Sequence, residues 1–330
     1  MRRIDLSLRK RQTTGHSAGI VRMCLLLSVT WLLCSAVGSA GELAGYKFLV
    51  TSIRTGDTEV FLVDPYLGDA KNLTRSPQSE DRYPCWSPDG SQIAFTSDCN
   101  GTYNLYVMNA DGSNVRQLTH EKSPTVCYMP SWSGDGRRIT FGWHGEKTLI
   151  CTIAPDGSNF KTVGPGHDPC FSPDGKTIAF TAQVGNGFCV FAMDADGKNV
   201  RQVTTHVNTM GAVFPNWSPY GAKIVYSDQV ENSLEIFVCD ADGSNVKQLT
   251  SLGKISTPAA WSPDMKWISF RVCDTAFWRD PVTLKKAYQE KRADLRPVYV
   301  MGADGSTPHV VEVLRYHCAI DGSRAVWKPR

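Results

Sequence analysis

Five histidines, a few carboxylates and a set of aromatic and arginine side chains are the residues of this chain whose types can do chemistry. His120, His144, His167, His206 and His317 fall between strand-like runs, and His167 and His317 stand just before such runs, where Asp81, Arg82 and Asp168 also stand. Imidazole and carboxylate together suit several divalent ions. However, no two of these histidines are spaced so that one element fixes both as ligands, so no metal and no cofactor is expected. A Gly-x-Ser-x-Gly elbow is absent, which removes the commonest sequence signal of a serine nucleophile. The glycines sit in turn motifs rather than in a phosphate-cradling loop. What remains is Tyr83, Tyr103, Tyr128, Trp143, Phe214 and Trp278, interleaved with Arg82, Asp168 and Arg279. Aromatic and arginine side chains dominate the energetics of protein interfaces. The candidate binding set is therefore Asp81, Arg82, Tyr83, Tyr128, His167, Asp168, Phe214, Trp278, Arg279 and His317, with no catalytic residue among them.

The elements that must position these residues are announced by a repeat. Trp86-Ser-Pro-Asp-Gly90, Trp132-Ser-Gly-Asp-Gly136, Phe171-Ser-Pro-Asp-Gly175, Trp217-Ser-Pro-Tyr-Gly221 and Trp261-Ser-Pro-Asp-Met265 are copies of one phrase, and Cys318-Ala-Ile-Asp-Gly322 reads as a degraded sixth. The spacings of 46, 39, 46, 44 and 57 residues are those of a β-propeller, whose units cannot bury their apolar faces alone and need neighbours on both sides. Residues 46 to 74 lack the phrase but end in Asn-Leu-Thr74, like the closing strand of the other units. The expected fold is all-β, a six-bladed propeller whose N-terminal strands complete the C-terminal blade near Cys318. Closing the ring would remove exposed sheet edges.

Within one unit, Gln92-Ile-Ala-Phe-Thr-Ser97 and Asn104-Leu-Tyr-Val-Met108 carry the β-branched and aromatic residues of strands, and Asn114-Val-Arg-Gln-Leu-Thr119 closes the unit. Ser87-Pro-Asp-Gly90 and Asn109-Ala-Asp-Gly112 supply the proline and glycine that tight turns require. The second turn recurs at Gly157, Gly197, Gly243 and Gly305. It lacks the spaced acids and terminal glutamate of a calcium loop. In a four-stranded meander these tight turns share one end, so the longer connections share the other, where binding normally resides. The largest insertion spans about 274–296, with Asp280-Pro at a helix start.

Residues 1–40 combine arginines, a short apolar stretch from Cys24 and the small residues Gly38-Ser-Ala40, the pattern of a secretory signal. The 14 residues from Cys24 to Val37 fall short of the ~20 that span a bilayer. Without this leader the chain has 29 basic and 31 acidic residues, a net charge of −2. The basic isoelectric point therefore belongs to the leader, and nucleic-acid binding is not indicated. Nine cysteines remain in residues 41–330. Cys151, Cys189 and Cys239 read as small buried hydrophobes. Cys99 and Cys127 flank one unit closely enough for a bridge in an oxidising compartment.

With Trp-Ser-Pro-Asp-Gly, Ile-Ala-Phe-Thr-Ser, Leu-Tyr-Val-Met-Asn-Ala-Asp-Gly and Arg-Gln-Leu-Thr in one unit, the chain resembles the propeller of the TolB family of the Tol-Pal system, over roughly residue 46 to the C-terminus. That resemblance implies a periplasmic protein whose propeller binds an envelope protein such as a peptidoglycan-associated lipoprotein; the chain is accordingly expected to be a non-enzymatic monomer, periplasmic or secreted, with the loop face as its working surface. In that family an α/β domain precedes the propeller, whereas here the leader is read as running almost directly into the ring, so a working Tol-Pal role without that domain is not implied. Oligogalacturonate lyases share similar repeats, and their resemblance implies the alternative, a metal-dependent carbohydrate-active enzyme working through His167 and His317. Fold alone does not choose between binding and catalysis.

Overall fold

The computed structural model describes residues 41–53, 55–205, 211–275, 297–311 and 326–329. Their regular structure is almost entirely antiparallel sheet. One four-stranded sheet joins Asp81–Trp86, Gln92–Ser97, Asn104–Asn109 and Arg116–Gln117 in chain order. Two more repeat the plan, from Val126–Trp132 to Lys161–Pro165 and from His167–Phe171 to Arg201–Gln202. A nine-stranded sheet holds two further repeats. They begin at Val213–Trp217 and Ala260–Trp261 and are joined where Leu234 pairs in parallel with Ile255. The last sheet is composite. Val326–Trp327 pairs with Phe48–Ser52, which pairs with Glu59–Val63 and then Ala70–Asn72.

That pairing corrects the register read from the sequence. Trp327 opposes Phe48 as Trp86 opposes Ile93, so Trp327-Lys-Pro329 is the C-terminal copy of the phrase. Cys318-Ala-Ile-Asp-Gly322 lies outside the described residues, as does most of the 274–296 insertion. The aspartate-glycine pair at 321–322 misled the alignment because that dipeptide marks any tight turn.

Each second strand is buried on both faces, as in Gln92–Ser97 where five of six residues are buried. This explains a near-continuous apolar run instead of alternation. The cores lie between sheets. Trp86 packs with Leu49, Val60 and Ile93, Trp132 with Ala94 and Val107, Phe171 with Ile150, Trp217 with Ala179 and Val190, and Trp261 with Val225 and Ile236. Burying such a ring contributes about 2–3 kcal/mol. Two of the indoles also bond across the gap, Trp217 Nε1 to Cys170 O and Trp327 Nε1 to Ala260 O, both at 3.2 Å.

The repeated polar residues are latches. In the phrase, Ser87, Ser133, Ser172 and Ser262 donate to Asp89, Asp135, Asp174 and Asp264 at 2.6–2.7 Å. The serine hydroxyls hold the first three of these carboxyls below the usual carboxylate range. In the closing strand, Thr119, Thr204 and Thr250 accept the amides of Leu105, Val190 and Ile236 at 2.8–2.9 Å. Lys71, Arg116, Arg201 and Lys247 reach the next repeat's turn at the carbonyls of Asp111, Pro155, Ala241 and Asp304. The turn glycines serve twice. Gly197 has φ +90°, and a Cβ there would strike the Val163 carbonyl.

Candidate functional site

Four inner strands bend at the same place. Their pairing slips between Arg82 and Cys85, Tyr128 and Ser131, His167 and Cys170, and Val213 and Asn216. Within each slip one residue takes a left-handed backbone, Tyr83 at φ 53°, Met129 at 50°, Asp168 at 51° and Phe214 at 58°, and each precedes a proline. Left-handed φ in bulky residues costs of order 1–3 kcal/mol and persists only where the surroundings impose it. Four such residues in register are a built feature of the inner strands. The signal was in the sequence as Tyr83-Pro, Met129-Pro, Asp168-Pro and Phe214-Pro, each three residues before the aromatic of the phrase. Met129 belongs with this set and was missed, because methionine reads as core.

Beyond the bulges the inner strands surround a cavity of about 230 Å³. Tyr83, Cys85, Met129, Ser131, Cys170, Asn216, Ala260 and Val326 line it, so every sheet contributes. At the tight-turn end, Gly134 faces the Pro173 carbonyl so closely that any Cβ would overlap it. This accounts for glycine in the copy that reads Ser-Gly-Asp-Gly.

The expected set is partly brought together. Tyr128 Oη lies 3.4 Å from His167 Nδ1. The His167 ring stands edge-on to Phe188 at 5.8 Å. Burial, with Asp168 and Tyr83 nearby, pushes the Tyr128 hydroxyl far above the usual phenol range. Burial first, and His144 second, lower His167. Both groups are therefore neutral near pH 7, and Tyr128 is a hydrogen-bonding phenol rather than a base. The Arg82 guanidinium pairs with Glu80 at 3.1 Å and stacks over Tyr103 at 5.2 Å. Phe214 is half-buried and donates its amide to Thr181 Oγ1 at 3.3 Å.

Three expectations change. Asp81 is fully buried between sheets rather than presented at the channel, because its side chain fills an inter-sheet slot. Tyr83, Tyr128, His167, Asp168 and Phe214 lie within inner strands, at their bulges, rather than in loops. The bridge between Cys99 and Cys127 does not form. Cys99 Sγ contacts Tyr106 Oη at 3.1 Å, whereas Cys127 is buried against Thr119 Oγ1. Burial raises the Cys127 thiol to about 12. Cys151, Cys189 and Cys239 are buried, as expected of small hydrophobes. Trp278, Arg279, His206 and His317 lie outside the described residues. Among the described residues, no three His, Cys, Asp or Glu side chains converge as a metal site, and no helix is long and apolar enough to cross a membrane.

Known proteins agree with this architecture. The family described as the TolB beta propeller domain matches residues 42–210, just over half of the chain. A TolB homolog from Chlorobium luteolum is 33% identical over 149 residues, 43% of this chain and 33% of that protein. A Tol-Pal system protein TolB from Anaeromyxobacter dehalogenans is 33% identical over 176 residues, 51% of this chain and 39% of that protein. The chain thus spans between a third and two fifths of the length of these relatives. Among solved structures, TolB from Acinetobacter baumannii superposes with a TM-score of 0.65 at 18% identity, covering 86% of this chain and 66% of that one. A TolB structure from Agrobacterium tumefaciens gives 0.63 at 21%, covering 81% and 88%. These two similarities speak to the fold, and with the family match over residues 42–210 the chain belongs to the TolB beta-propeller domain family.

Proposed function

We propose that the chain is an exported, non-enzymatic protein-binding module of the Tol-Pal type. In this reading six blades close into a monomeric ring, and the bulged ends of the inner strands form its docking face. Closure is supported by the pairing of Val326–Trp327 with Phe48–Ser52 and by one cavity shared among six inner segments. The observation that carries the function is the set of bulges. They hold Tyr83, Met129 and Phe214 rigidly beside Tyr128 and His167, both neutral near pH 7. Rigid aromatic groups bind with little entropy loss, and such anchors carry most interface energy. The partner is an envelope protein such as a peptidoglycan-associated lipoprotein, and the compartment is the periplasm or the exterior, with residues 1–40 as the export signal.

Calorimetric titration of residues 41–330 with the peptidoglycan-associated lipoprotein of the same organism tests this. Binding should weaken at least tenfold in Tyr83→Ala and Phe214→Ala with the circular dichroism unchanged. No binding by the wild type would reject that partner, and binding indifferent to both variants would reject the docking face.

A further inference from the structure

Where the strand Glu59–Val63 meets the sheet that begins at Asp81, a carboxylate occupies a slot that takes small neutral residues elsewhere. Asp81 donates its amide to Thr58 O, and Cys127, Gly166 and Ala212 make the same bond to Tyr103, Thr148 and Phe188. These positions are equivalent, and their occupants are buried. In the next sheet the slot faces the latch threonine, since Cys127 Sγ lies 3.5 Å from Thr119 Oγ1. Asp81 is 0% exposed, and its carboxylate lies against the hydroxyls of Ser97, Thr74 and Ser76 without a well-aligned hydrogen bond.

The oxygens around it are short of protons. Asp81 faces the hydroxyls of Ser97, Thr74 and Ser76 and the carboxylate of Glu59, which is 4% exposed. Thr74 Oγ1 accepts from Val60 N at 3.1 Å and gives its proton to Glu59 Oε2 at 2.9 Å. Ser76 gives its proton to Thr74 O at 3.2 Å. The nearest cation in sequence, Arg82, is turned to Glu80 and the Tyr103 ring. Glu59 Oε2 also accepts the Ser76 amide at 3.1 Å, so Glu59 is served by two donors, whereas Asp81 has only the Ser97 hydroxyl left to it among these three hydroxyls. An uncompensated buried carboxylate costs several kcal/mol. A hard cation, which prefers carboxylate and neutral oxygens, offsets that cost.

We propose that this junction binds a divalent cation of calcium's size, held by Asp81 and Glu59 with the hydroxyls of Thr74, Ser76 and Ser97. The equivalent latch one sheet on, Asn104 with Thr119 and Cys127, has the same geometry without the charge. Binding ties residues 72–79 to the strand that carries Arg82 and Tyr83.

The test is thermal unfolding of the chelator-treated chain, titrated with calcium, magnesium or sodium chloride. Calcium should raise the melting temperature saturably, by about 5 °C at a hundred times Kd, and magnesium should do less. Asp81→Asn and Glu59→Gln should lose the response, whereas Asp304→Asn, at an exposed turn carboxylate, should keep it. If Asp81→Asn fails to fold, Ser97→Ala provides a milder variant, expected to weaken calcium binding several-fold. A wild type indifferent to both divalent ions, or an Asp81→Asn or Ser97→Ala chain that responds like wild type, overturns the site. A chelated Asp81→Asn chain more stable than wild type, with no calcium response in either, would show a protonated acid there instead.

Discussion

Replacing the latch threonines with valine should separate a structural hydrogen bond from a charged one at constant volume. Thr204 and Thr250 are 3% and 4% exposed, and both accept a strand amide, from Val190 at 2.9 Å and Ile236 at 2.8 Å. They differ in where their proton goes. Thr204 faces the Cys189 thiol, whereas Thr250 donates at 2.5 Å to the Glu235 carboxylate, itself 1% exposed and otherwise bonded to the Gly253 amide. Thr204→Val therefore orphans one buried amide and should cost about 1–2 kcal/mol. Thr250→Val orphans an amide and also removes a donor from a buried carboxylate, so it should cost about 3–5 kcal/mol. Guanidinium unfolding should show this as a shift in midpoint at unchanged slope. Adding Glu235→Met to Thr250→Val should recover about 1–3 kcal/mol, because removing both partners is milder than removing one. Equal costs for the two threonines, or no recovery in the double variant, would refute the assignment of charge to that latch.

Restoring the consensus phrase with Gly134→Pro, ordinarily a stabilising change, should destabilise by at least about 1–3 kcal/mol because of the overlap with the Pro173 carbonyl; a thermal melt checks it. Trp217→Phe should cost about 1 kcal/mol more than Trp132→Phe by denaturant unfolding. Both indoles are 8% exposed, but only Trp217 Nε1 bonds to a neighbouring repeat, whereas Trp132 Nε1 has no partner. Because burial lowers His167 in the fold, the unfolded chain takes up its proton first. That stability is present above about pH 6.5, the ordinary histidine value, and is lost as pH falls. His167→Gln should flatten this arm of a stability profile measured between pH 7.5 and 5.

How much was legible follows from which physics is local. The turn phrases, the strand runs and the forty-residue period are local, and the sheets lie where those signals put them, from Gln92–Ser97 to Trp267–Cys273. The closing copy was misplaced because, among the described residues, only Val326 and Trp327 pair with Phe48–Ser52 from the C-terminal side, too short a segment for periodicity to register. Asp81 was read as a binding residue near the channel because nothing in its neighbours reveals an inter-sheet slot. Met129 was passed over for the converse reason, since its exposure to the cavity follows from a bulge and not from its chemistry.

By itself the sequence determined that units of this kind must stack, since each second strand is apolar on both faces and cannot be covered within its own sheet. It also determined the tight turns, because proline, aspartate and glycine restrict the backbone locally. Only the tertiary structure decided which strand completes the first sheet, that Cys99 and Cys127 stay apart, and that one carboxylate lies buried beside another. Those outcomes depend on pairings between residues far apart in the chain, such as Tyr46 with Asp264 and Phe48 with Trp327. Their energies appear only once neighbouring repeats have excluded water between them.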